Sequence, residues 1–118
     1  MRVCRVDRED EIRLRHMLDA AREAVALTAN RVRRQLDTDR ALALGLVKEI
    51  EIIGEAASRV SSAAQASIPG IPWPDIVGMR NRLVHAYFDI NLDVVWRTAT
   101  AELPILIREL EKLVPEAD

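Results

Sequence analysis

Leu14, Met17, Leu18, Ala21, Val25 and Thr28 recur at the three- and four-residue spacing of one helix face, while Arg8, Arg15, Arg22 and Glu23 fall off it. A first helix is expected there, started by Asp7 or Asp10 with acidic residues in its first turn. Residues 31–37 are polar and read as a connection. A second, longer helix follows, capped by Asp37 or Thr38, with Leu42, Leu46, Ile50, Ile53, Ala57 and Val60 as its main stripe. Leu44, Val47, Ile52 and Ala56 widen that stripe beyond one face, which predicts a central helix or one that buries a second face against another subunit. Gly45 and Gly54 weaken this helix and permit close approach by a neighbour.

Three prolines and a glycine in residues 67–75 rule out regular helix. Pro74 suits the first turn of a third helix, which the pattern extends from about Pro74 to about Tyr87, with Asp75 adding favourable charge at its start. Residues 88–93 read as a turn, with Asn91 or Asp93 capping a fourth helix that carries Val94, Val95, Leu103, Leu106, Leu110 and Leu113. Pro104 should interrupt and kink it. No segment alternates in a way that demands a strand. The expected fold is all-α, an antiparallel bundle of four to five helices with short loops.

The chain has 118 residues, which suits one domain over 1–118. Its core must be aliphatic, since aromatics are only 3% of residues. A domain of this size gains stability from a partner. Charges are nearly balanced, with a formal net charge of −2, so the whole-chain field does not attract nucleic acid. Any nucleic-acid role must rest on a local basic patch. Cys4 is the single cysteine and precludes an internal disulfide, pointing to a reducing compartment. No apolar run approaches the ~20 residues that span a bilayer, so a soluble, cytoplasmic protein without a membrane role is expected.

Residues 79–90 alone combine an arginine, an amide, a histidine and a tyrosine at close spacing: Arg80, Asn81, Arg82, His85 and Tyr87. On one continuous helix Asn81 and His85 share a face, Arg82 lies three before His85, and Arg80 and Tyr87 share another face. Arg80 and His85 would then project about 140° apart, so one copy does not readily aim both at one point. Two copies across a two-fold axis could do so. A neutral histidine can exchange a proton with a ribose hydroxyl, and an arginine can clamp a phosphate, which suits RNA cleavage without a metal. No histidine–cysteine–carboxylate cluster at ligand spacing suggests a metal or other cofactor. By itself Arg-x4-His recurs by chance, and a histidine satisfied at a helix end beside solvated arginines is the structural alternative.

The segment Arg-Asn-Arg-Leu-Val-His-Ala-Tyr, residues 80–87, resembles the Arg-x4-His-x-Tyr signature of the HepT toxins, a branch of the HEPN superfamily of helical ribonucleases. Glu-Ile-Ile-Gly-Glu-Ala-Ala at 51–57, Ile-Pro-Trp-Pro-Asp-Ile-Val-Gly-Met at 71–79, and Asp93-Val-Val-Trp96 with Glu102-Leu-Pro-Ile-Leu extend the likeness over most of residues 45–110. Residues 1–44 match only as a generic helix. The resemblance implies a homodimeric, metal-independent endoribonuclease of a toxin–antitoxin system, with a composite site at the dimer interface and RNA, tRNA or mRNA, as substrate. It implies Arg80 and His85 as catalytic residues, with Asn81 in the polar position that follows the arginine; Arg82, close by, is a candidate RNA contact. It also implies an MNT-type nucleotidyltransferase antitoxin that inactivates the toxin by AMPylation of Tyr87. A catalytically idle nucleotide-binding or interaction module of the same fold, or a purely structural bundle, are the competing readings.

Other residues invite blander roles. Glu51 and Glu55 suit ion pairs with Arg80 or Arg82 better than acid–base work. His16 reads as a surface histidine. Trp73 and Trp96 read as core or interface anchors, and Arg31, Arg33 and Arg34 as a solvated connection rather than an RNA-approach patch.

Overall fold

The computed structural model describes residues 7–86 and 89–114, residues 84–86 and 89 by their backbone alone. Helix α1 (Arg8–Thr28) starts where the sequence suggests, with the Asp7 side chain accepting the Asp10 amide at 2.8 Å. A short α2 (Gln35–Thr38) occupies the end of the polar connection. It takes up Asp37 and Thr38, so the cap of α3 (Arg40–Ser58) passes to Asp39, which accepts the Leu42 amide at 3.0 Å. Another short helix, α4 (Ser62–Ser67), follows and was not legible in the periodicity. Its six residues, Ser-Ala-Ala-Gln-Ala-Ser, are too few and too small to print an apolar stripe.

The expected third helix is broken twice. Helix α5 (Trp73–Val77) ends at Gly78, whose amide returns to the Pro74 carbonyl, and α6 (Met79–Leu83) ends where β1 (Val84–Ala86) begins. Strand β1 pairs antiparallel with β2 (Asp89–Ile90), Val84 opposite Ile90 and Ala86 opposite Asp89. The Leu83 carbonyl accepts the Asn91 amide across this hairpin at 2.6 Å, instead of a bond that would prolong the helix. Asn91, of the two candidates, caps α7 (Leu92–Arg97) by accepting the Val94 amide at 3.2 Å.

Pro104 interrupts the last helix in a particular way. Thr98–Glu102 form a π-helical turn, in which the Leu103 amide reaches back five residues to the Thr98 carbonyl. Helix α8 (Leu103–Glu111) then carries Pro104 in its first turn, where a missing N–H costs little.

The all-α class holds, with the two-stranded ladder as its one extended feature among the described residues. Helix α1 packs along both α3 and α8, and α3 also meets α2, α5, α6 and α7, which makes it the central member. Leu14 and Met17 of α1, Leu46, Ile50 and Ile53 of α3, and Leu103 and Leu110 of α8 are fully enclosed. Each large aliphatic side chain so buried contributes about 1.5–3 kcal/mol. The second apolar face of α3 is only partly covered: Val47 and Ala56 are buried, whereas Leu44 and Ile52 stay exposed. Among the described residues no helix is long and apolar enough to cross a membrane.

Two carboxylates mark the α1–α3 and α1–α4 seams. Asp10 is buried and accepts both the Ser61 amide (2.8 Å) and the Ser61 hydroxyl (2.7 Å), fastening the start of α1 to the cap of α4. Replacing Asp10 with Ala should lower the unfolding free energy by about 2 kcal/mol, because two donors lose a charged acceptor. A urea titration giving a change below a few tenths would contradict that role. The second carboxylate, Glu49, has one oxygen enclosed without a donor and stands against Glu23. Burial and the neighbouring carboxylate push its pKa from 4.5 up to about 7. A proton held in the folded state but released in the unfolded one stabilises below the ordinary value and is lost as pH climbs through 7. Between pH 5 and pH 8 the wild type should therefore lose about 1 kcal/mol through this partly solvated group, and Glu49→Gln should lose that much less. Parallel pH-dependent slopes for the two proteins would refute it.

Candidate active site

Met79 and Leu83 lie four residues apart on α6 and are both fully buried. That anchoring turns the intervening Arg80, Asn81 and Arg82 to solvent, where all three are exposed. Arg80 Nε donates to Glu51 Oε2 of α3 at 2.5 Å, yet the Arg80 side chain stays 54% exposed, so half of its surface is open to a ligand. Arg82 turns the other way and its Nη2 donates to Glu102 Oε1 of the π turn at 3.3 Å.

The reach from α6 to α3 depends on Gly54. A Cβ there would lie 3.3 Å from the Val77 carbonyl oxygen and 3.4 Å from that of Ile76, so the end of α5 is seated against a glycine. Three residues along α3, Glu51 then meets Arg80 just beyond the end of α5. Arg80 and Asn81 line a depression of about 250 Å³ with Glu51, Gly54, Ser58 and Val77. Arg80 also borders a wider cleft of about 450 Å³ that reaches His16, Arg13 and Lys48.

The helical-wheel expectations for this segment need correction. His85 stands on β1, not on α6, so the shared face with Asn81, the three-residue relation to Arg82 and the 140° separation from Arg80 do not apply. Tyr87, and with it the expected Arg80–Tyr87 face, lies outside the described residues, as does Cys4. The structure brings Arg80 and Asn81 together and sends Arg82 elsewhere.

The bland readings fare better. Glu51 pairs with Arg80 as expected, while Glu55 pairs with Arg59 at 2.9 Å and with neither motif arginine. Trp73 is a buried anchor whose indole donates to the Ile68 carbonyl at 3.0 Å. Trp96 packs at the edge of the core. Arg33 is committed to Asp37 (3.0 Å) and Asp93 (2.7 Å) and Arg31 stands 3.8 Å from Asp39, so two of these three arginines are paired within the fold. His16 is exposed as expected, but its place in the Arg80 cleft was not foreseen. The same holds for Arg13 and Lys48, which lie far apart in sequence and meet only because α1 packs on α3.

Comparison with known proteins fits this arrangement. The ribonuclease HepT-like family matches residues 17–113, which span α1 from its middle to the end of α8. The chain belongs to this family. Its similarity to individual HepT-like proteins is moderate and broad. It is 38% identical to a "Putative RNase" of Caldanaerobacter subterraneus subsp. tengcongensis over 66% of each chain. It is 35% identical to the "Probable ribonuclease HepT" of Thermococcus cleftensis over 64% of this chain and 68% of that one. A "Putative RNase" of Methanocaldococcus jannaschii is 28% identical over 86% of this chain and 84% of its own. No solved structure matches.

The Gly54 seat yields a test within this HepT-like fold. Gly54→Val should force α5 away from α3 and disturb the Arg80–Glu51 pair, lowering any Arg80-dependent activity at least tenfold. Gly45→Ala, where an added Cβ meets only Leu27 at an ordinary 3.5 Å, should leave it unchanged. Equal activity in Gly54→Val and wild type would show that the site does not depend on this seat.

Proposed function

We propose that this chain, as one domain over 1–118, is the toxin of a toxin–antitoxin pair and a metal-independent endoribonuclease. The observation that carries the reading is Arg80. It is a half-exposed guanidinium held by Glu51 at the junction of two depressions, in a chain whose family and relatives carry the name ribonuclease. A guanidinium so placed can take two oxygens of a phosphodiester and hold the charge that grows on them.

His85 takes the proton of a ribose 2′-hydroxyl, the freed oxygen attacks phosphorus, and the bond to the 5′-oxygen breaks as that oxygen receives a proton. The products are a 2′,3′-cyclic phosphate and a 5′-hydroxyl, and no metal is required by this route. Asn81 orients the site, and Arg82 contacts RNA by exchanging Glu102 for phosphate. In a homodimer, two copies complete the site between them. RNA is the substrate, with tRNA and mRNA both open as targets, and the protein acts in the cytoplasm. An MNT-type nucleotidyltransferase antitoxin transfers AMP to Tyr87, and the added negative charge repels RNA from the cleft.

Expression of the wild type should arrest growth, and the purified protein should cleave RNA in excess chelator. Arg80→Ala or His85→Ala should cut the cleavage rate by about 10²–10⁴ at unchanged folding. If both variants cleave as fast as wild type, catalysis by this motif is wrong, and the reading of an idle nucleotide-binding or interaction module takes its place.

A further inference from the structure

Three shallow depressions run end to end over the α1–α3 face. The first holds Asn81 and Arg80, the second shares Arg80 and reaches Arg13, Lys48 and His16, and the third, on α1 alone, shares His16 and carries Arg8 and Arg15 beside Glu11 and Asp19. Their volumes are about 250, 450 and 420 Å³, so the furrow they form offers more room than a mononucleotide fills.

The charge in the middle of this furrow is unevenly spent. Glu51 and Glu55 are taken up by Arg80 and Arg59. Arg13 and Lys48 face each other across the helices with no ion pair among the described residues. Between them runs an apolar strip of Ile52, which is exposed, and Ala56. A chain whose net charge is −2 thus places two cations without ion pairs beside the arginine of its candidate site. Cations flanking an apolar strip suit a single strand, with phosphates on the rims and base faces toward the floor.

We infer that the α1–α3 furrow is a binding track for single-stranded RNA, which leads the strand to Arg80 with Arg13 and Lys48 as its phosphate contacts and His16 at its midpoint. No phenylalanine, tyrosine or tryptophan lines the track among the described residues, so it grips backbone and is tolerant of base sequence. The inference rests on the ribonuclease reading only in taking this RNA as the substrate.

The test is the binding of a fluorescent twelve-nucleotide oligouridylate by anisotropy across a potassium chloride series. The Arg13→Gln/Lys48→Gln protein should bind about tenfold more weakly near 0.1 M salt, and its slope of log affinity against log salt should be shallower by about 1.4, two contacts at about 0.7 each. Lys48→Gln alone should give about half that change in slope. Arg97→Gln/Arg108→Gln removes the same charge from exposed positions outside the furrow and should leave the slope unchanged. The track is refuted if the Arg13/Lys48 protein keeps the wild-type slope, if the Arg97/Arg108 protein loses as much, or if polyglutamate or anionic phosphatidylserine vesicles displace the RNA as well as unlabelled oligouridylate does. Binding that follows the expected pattern in a protein that never cleaves RNA supports the track and overturns the ribonuclease reading instead.

Discussion

The approach of α5 to α3 at Gly54 is the constraint on which the candidate site depends. Carbonyl oxygens of Ile76 and Val77 lie within 3.4 Å of where a Cβ would stand, so even an alanine would ask α5 to give by a few tenths of an ångström and a bulkier residue by more. Because α6 follows α5 after a single residue, Gly78, the position of Arg80 is inherited from that seat. Met79 and Leu83 then lock α6 into the core from beneath. Glu51 supplies the last restraint, a charged partner on a neighbouring helix. An exposed ion pair of this kind adds little stability. Its value lies in orientation, since an arginine side chain left to itself samples many rotamers.

The charged surface is sorted by partner. Arg33, Arg59 and Arg82 are engaged by carboxylates of nearby elements and serve the fold. Arg80 is engaged but still half open. Arg13 and Lys48, like Arg97 and Arg108, have no ion pair among the described residues, but of these four only Arg13 and Lys48 border the same cleft as Arg80. A balanced whole-chain charge therefore conceals a local imbalance, and only packing of α1 on α3 makes that imbalance spatial.

Much of this was legible in residue order. The stripes of α1 and α3, the Asp7 and Asn91 caps, and the Pro74 start of α5 follow from periodicity and backbone chemistry. So did the pairing of Glu51 with Arg80 and the use of Gly54 for close approach. The break at Gly78 and the end of α6 at Leu83 were not legible, because Met79, Leu83 and their neighbours keep helical spacing straight through the junction. What ends the helix is a hydrogen bond from Asn91, eight residues downstream, which no local pattern encodes. Pro104 announced an interruption but not its form, since a proline can be met by a kink or by a widened turn. The furrow was invisible because Arg13 and Lys48 belong to separate helices and each alone looks like solvated surface.

The junction at Leu83 has a bearing on how this segment can change over time. Within a helix, one inserted residue turns everything after it by about 100° and would carry a downstream side chain to another face. Arg80 is on the helix and His85 is past its end, so an insertion after Leu83 would fall in β1 and leave α6 undisturbed, whereas one at residues 81–83 would still rotate the end of the helix. The backbone position of the histidine is thereby set by the strand pairing and not by helical rotation from the arginine, which keeps its carboxylate and its seat on α6.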